Sequence, residues 1–169
     1  IFAEKSLSLS FKYFVDFLKD PNYENTSAMC LSSNLAGQAI NISKTTAPHA
    51  VSYPFTSIYG INHGHAVSLT LNQFLRFNYN HLKEAKCNFS LSGRFENLFR
   101  LSNTKDFVSF DKFLKNIKRE ANLEGDFKKL KIDIEKDFSN FVSGINDIRL
   151  ANNPVDIQIK DLKKIILNL

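Results

Sequence analysis

The stretch Asn34–Asn78, NLAGQAINISKTTAPHAVSYPFTSIYGINHGHAVSLTLNQFLRFN, contains two breaks, and the residues around them have the apolar spacing of helices. Thr45-Thr46-Ala47-Pro48 interrupts the first run. Thr46 is placed to cap a short helix with Pro48 near its start, where a missing N–H costs nothing. That helix carries His49 and Tyr53. Gly60 to Asn62 makes a turn, and Asn62 stands where a cap is expected for a helix from His63 to about Asn78, with Val67, Leu69, Leu71, Phe74 and Leu75 along it. Ahead of the first break, Glu24–Ser43 reads as a helix with Met29, Leu31, Leu35 and Ile40 available for packing. Its small residues Ala28, Ala36, Gly37 and Ala39 would admit a close neighbour, helix or ligand.

The same reading extends outward. Leu7, Phe11, Phe14, Val15 and Leu18 recur at helical spacing over Ser6–Leu18, and Asp20-Pro21-Asn22 ends that run. Asn80–Thr104 has no clean period. Phe107, Phe110, Phe113, Leu114 and Ile117 form one stripe. Phe127, Leu130, Ile134, Phe138, Phe141 and Ile145 form another, read as two helices with a break near Ser143-Gly144. Asn152-Asn153-Pro154 leads through an extended approach to a last helix bearing Ile159, Leu162, Ile165 and Ile166. The expected fold is all-α, about seven to nine helices in a single domain over residues 1–169.

Composition agrees with that class. Six glycines and four prolines in 169 residues are few for a turn-rich β fold. The net charge of +5 does not mark a nucleic-acid binder, because Lys128, Lys129 and Lys131 are interleaved with Asp126, Asp133, Glu135 and Asp137, the alternation of a solvated face. Cys30 and Cys87 have no metal-ligand spacing and read as a reduced pair. No segment has the length of apolar residues that spans a bilayer, and the first residues lack a signal-peptide pattern. Together these lead us to expect a cytoplasmic protein that engages neither membrane nor nucleic acid.

Three of the four histidines fall between positions 49 and 65. Imidazole is the commonest transition-metal ligand, and two helix starts joined by a turn can aim His49 and His63 at one ion. On spacing alone, two unrelated histidines near helix N-termini fit as well. His65, two residues beyond His63, would point elsewhere. His81 follows a helix end, where a cation is favoured.

The local motif adds to this. Ala36-Gly37-Gln38-Ala39, then His49, then Asn62-His63-Gly64, then Arg76-Phe77-Asn78, with Arg149-Leu150-Ala151-Asn152-Asn153-Pro154 before the last helix, resembles the C-terminal, metal-binding part of the iron-containing alcohol dehydrogenases. These have a dehydroquinate synthase-like fold. The resemblance implies that His49 and His63 are metal ligands for Fe2+ or Zn2+. It further implies NAD(P)-dependent interconversion of an alcohol and an aldehyde. Many members have a histidine where this chain has Tyr53. A phenol there can line the pocket but relays protons less readily than imidazole near neutral pH. Lys44 and Thr45, beside the His49 helix, are candidates for holding an anionic substrate such as a phosphonate or phosphate aldehyde.

The family's other two ligands come from an Asp-x-x-x-His pair well upstream, and its phosphates bind a Gly-rich loop. Neither pattern occurs here. The expectation is therefore a domain truncated at its N-terminus, inactive alone, with the nucleotide-binding domain absent. Apolar surface uncovered in this way would favour homo-oligomers. Rival readings are the related dehydroquinate synthases and glycerol dehydrogenases, and a non-enzymatic helical interaction module.

Overall fold

The structure, a computed structural model, describes residues 1–167. Among them are nine α-helices: α1 (Phe2–Lys19), α2 (Tyr23–Ser43), α3 (Ala47–Tyr59), α4 (His63–Asn80), α5 (Leu91–Leu101), α6 (Phe107–Glu120), α7 (Phe138–Ser143), α8 (Asp147–Ala151) and α9 (Ile159–Leu167), with a 3-10 turn at Leu82–Glu84. No strand occurs among the described residues. No helix there is long and apolar enough to cross a membrane. Cys30 and Cys87 are both free thiols.

The helices form two compact units. The first comprises residues 1–44 and 93–122. Its α1 and α2 pack through serines rather than large apolar groups. The Ser6 hydroxyl donates to the Ser32 carbonyl (2.9 Å), the Ser32 hydroxyl donates to the Ser6 carbonyl (2.8 Å), and Ser10 Oγ lies 2.7 Å from Ser32 Oγ. Small hydroxyl side chains let two backbones come close while using their own polar groups. The expected packing face of α2 is therefore wrong in part. Leu31 is 53% exposed and Ile40 44% exposed, and a Cβ added at Gly37 meets nothing within 4 Å among the described residues. The second half of this unit is a phenylalanine cluster. The Phe11 ring stands edge-on to Phe113 at 5.1 Å, and Phe99 meets Phe110 at 5.8 Å. Helix α6 is fixed at its start by a capping box between Asp106 and Ser109. Helix α5 falls in the stretch whose sequence lacks a clean period. Leu91, Phe95, Leu98 and Phe99 do recur at helical spacing along it, a short stripe set among polar residues, and Phe95 is buried.

The second unit, residues 45–92 and from 123 on, carries the hydrophobic core. Ala47, Ala50, Val51 and Phe55 of α3 are fully buried against Ala66, Leu69 and Phe74 of α4, Phe141 of α7, and Leu162, Ile165 and Ile166 of α9. Burial of each large side chain contributes about 1.5–3 kcal/mol, and Phe55 meets Phe141 edge-on at 4.9 Å. Two sequence expectations fail here. Residues 127–137 are turns, not helix. Asp126 and Asp133 side chains accept the backbone N–H groups of Lys128 and Lys136 in place of a helical ladder, and Lys131 takes φ +56°. Ile132 and Ile134, two residues apart, enter the core from this segment, with Phe127 and Leu130 packed against it. At the helix starts, Thr46 and Asn62 occupy the cap positions, but neither side chain makes a capping bond.

Pro54 stands inside α3. Having no N–H, it leaves the Ala50 carbonyl without its helical donor. The Asn146 N–H reaches that carbonyl at 3.4 Å, and Gly144 lies against Pro54, where an added Cβ would stand 3.2 Å from Pro54 Cβ. The proline thus marks where the α7–α8 segment docks on α3.

Candidate metal centre

Helix α3 turns its apolar side to the core, so His49 and Tyr53, one helical turn apart, share the opposite side. Gly60 closes the helix in the left-handed region (φ +68°), and the Ile61 N–H folds back to the Phe55 carbonyl. Two residues later α4 begins with His63. This turn brings the two imidazoles together, with ring centroids 5.5 Å apart and planes 61° to one another. A tetrahedral ion with metal–nitrogen bonds of about 2.0–2.1 Å sets two imidazole centroids about 5 Å apart. The observed separation suits a shared ion. The Tyr53 ring lies 6.0 Å from that of His63.

Ser52 connects the pair. Its hydroxyl donates to the His49 carbonyl (2.8 Å) and sits 3.3 Å from His63 Nδ1. A hydroxyl has one hydrogen, already used on the carbonyl, so toward His63 it accepts. Nδ1 then carries the proton, and the Nε2 lone pair is left for a ligand. His49 has its proton affinity lowered, first by burial, then by His63 and by Arg149. All three favour the neutral imidazole, the form that binds metal.

Arg149 of α8 is part of the same group. Its guanidinium donates to Thr45 Oγ1 (2.7 Å) and lies 5.5 Å from the Tyr53 ring centroid. Thr45 is buried, and its carbonyl accepts from the Asn152 side chain (3.1 Å). Lys44 ends α2 at φ +61° with its ammonium on the Asn41 carbonyl (2.8 Å). The remaining histidines lie apart from the pair. His65 Nε2 meets the Glu124 carbonyl (2.6 Å), and His81 Nδ1 meets the Phe77 carbonyl (2.7 Å) at the end of α4. No group of three or more His, Cys, Asp or Glu side chains converges on a point among the described residues. This chain therefore offers two imidazoles, fewer than the three or four protein ligands an ion of this kind takes.

Sequence reasoning missed two residues. Ser52 was within reach, because it stands three positions after His49 on the same helix. Arg149 is a hundred residues from His49; it heads the Arg149–Pro154 stretch of the motif, but nothing in that stretch ties it to the histidines. The Asn78 and Asn153 of the sequence motif do meet. Their buried side chains exchange hydrogen bonds at 3.3 and 2.7 Å, and Asn153 also donates to the Val155 carbonyl.

Residues 1–169 match the family described as Fe-containing alcohol dehydrogenase, C-terminal. Over 52 residues, 31% of this chain and 13% of the relative, the sequence is 40% identical to the phosphonoacetaldehyde reductase of Streptomyces viridochromogenes. The fold is similar to that of the sulfoacetaldehyde reductase from Bifidobacterium kashiwanohense, solved in complex with NAD+, at a TM-score of 0.83 and 30% identity over 99% of this chain. It is similar in fold to the alcohol dehydrogenase from Oenococcus oeni, at a TM-score of 0.83 and 19% identity over 98% of this chain. The chain spans 42% and 43% of the lengths of those two proteins.

Proposed function

The chain belongs to the Fe-containing alcohol dehydrogenase family, as its C-terminal part, and from that premise we propose that it is the metal-binding part of an NAD(P)-dependent enzyme that interconverts an alcohol and an aldehyde. The observation that carries this reading is the facing pair His49 and His63, held 5.5 Å apart by the α3–turn–α4 unit. A divalent ion, Fe2+ or Zn2+, would supply Lewis-acid polarisation of the substrate oxygen, and the nicotinamide the hydride acceptor or donor.

The residues of this chain have the following parts. His49 and His63 would hold two positions on the ion. Ser52 accepts from His63 Nδ1–H and so leaves Nε2 as the nitrogen that would bind it. Tyr53 lines the substrate side, and Thr45, which accepts a hydrogen bond from Arg149, borders the substrate end. Two imidazoles bind a divalent ion weakly, so the 169 residues alone turn over no alcohol, and the further ligands and the nucleotide site come from outside them. We place the enzyme in the cytoplasm. The exposed Phe2, Leu18 and Leu31 favour self-association.

The test is metal content and aldehyde reduction in the intact holoenzyme, with His49→Ala and His63→Ala. Both variants should lose most of the bound metal and nearly all turnover. Full metal content and turnover in both variants would refute the assignment.

A further inference from the structure

We propose that Arg149 is the specificity-determining residue for a substrate whose aldehyde is tethered to a negatively charged oxyanion, a phosphonate or a sulfonate. This rests on the His49–His63 reading for where the aldehyde oxygen goes, and adds what the other end of the molecule meets.

Four observations carry it. Arg149 is only partly exposed, yet no carboxylate lies within 4.0 Å of its guanidinium among the described residues, whereas Arg100 and Lys115 are paired with Glu4 and Asp111. A partly buried cation without a counter-ion is uncommon, because its desolvation is uncompensated. The side chain is also held in place. Thr45 Oγ1 takes one N–H at 2.7 Å, and the Tyr53 ring lies beside its plane at 5.5 Å. One hydrogen bond leaves other guanidinium donors in a fixed fork, the geometry that suits a tetrahedral oxyanion. Finally, Tyr53 joins the two ends of the site, with Arg149 on it and His63 6.0 Å away. A short molecule with its reactive oxygen at the histidines would thus have its far end at Arg149. Lys44 is a poorer candidate for that part, since its ammonium is spent on the Asn41 carbonyl of its own helix.

The experiment uses the intact holoenzyme as wild type, Arg149→Met, Arg149→Lys and Lys44→Met, with phosphonoacetaldehyde, sulfoacetaldehyde and uncharged butyraldehyde as substrates. The preference for the better anionic aldehyde over butyraldehyde, as a ratio of kcat/KM, should fall about 10- to 100-fold in Arg149→Met, the value of a hydrogen bond to a charged group. Most of the loss should lie in KM, and Arg149→Lys should recover part of it. The two anionic arms identify which oxyanion is preferred. Calorimetric binding of methylphosphonate and ethanesulfonate gives a readout without turnover: wild type binds one of them and Arg149→Met binds neither. Thermal melts establish that the variants fold. An unchanged preference in Arg149→Met, or a loss confined to Lys44→Met, overturns the assignment and leaves the dehydrogenase reading intact. A holoenzyme that reduces none of the aldehydes refutes the dehydrogenase reading. In that case anion binding that depends on Arg149 still supports the cation's part, and absence of binding removes it.

Discussion

Replacing Gly60 by alanine isolates the backbone cost of the turn that brings the histidines together. Gly60 has φ +68°, and a Cβ added there meets nothing within 4 Å among the described residues. No steric clash contributes, so the whole effect is conformational. An L-residue in the left-handed region costs about 1–2 kcal/mol. Alanine also stiffens the unfolded chain, which returns about 0.4–1 kcal/mol. Gly60→Ala should therefore lower the unfolding free energy by about 1 kcal/mol, or about 2–4 °C in Tm for a chain of this size. Gly60→Asn, whose side chain tolerates this region, should cost about half as much. Urea denaturation followed by far-ultraviolet circular dichroism measures both. If Gly60→Ala matched wild type, the left-handed turn would be wrong. If Asn cost as much as Ala and both exceeded about 3 kcal/mol, the open space around the position would be wrong instead.

Two further outcomes follow from buried polar groups. Asn153→Leu should destabilise by about 1–3 kcal/mol by orphaning the Asn78 side chain. In the double variant with Asn78→Leu the losses should not add, which a double-mutant cycle by denaturation would detect. Lys118 has its pKa pushed down to about 8, chiefly by burial and also by Lys115, against the opposing pull of Asp111. Since the folded value lies below the ordinary 10.5, the unfolded chain binds more protons between the two, and Lys118 lowers stability at neutral pH and below. Its penalty is relieved as pH rises from about 8 to 10.5. Each tenfold in proton affinity is about 1.4 kcal/mol, a ceiling of about 3 kcal/mol that partial solvent contact reduces to about 1–2. Lys118→Met should stabilise by that amount at neutral pH and lose its advantage above pH 10.5, in paired denaturation series.

The helices that were legible in the sequence are those with a broad apolar stripe and a clear stop. The segments around Pro21, Pro48 and Gly60 divide the chain where they were expected to, because proline and glycine act locally. The failures share a cause. At 127–137 the apolar residues have a spacing that helical and turn-rich chains both satisfy, and the aspartate side chains that decide between them act through bonds a hydropathy pattern does not register. On α2, serines took the packing role that periodicity assigns to Leu31 and Ile40. The juxtaposition of His49, His63 and Tyr53 is legible because they lie on one contiguous segment. That of Arg149 is not, because its place depends on how α8 lies against α3.

That docking gives the proline in α3 a further meaning. The carbonyl one residue after His49 has as its donor a backbone group from Asn146, nearly a hundred positions along the chain, so this rung of the helix is completed by a remote strip of polypeptide. Loosening of residues 144–150 would unlatch the first turn of α3 as well, and the histidine and the arginine would be gained or lost together as one cooperative patch.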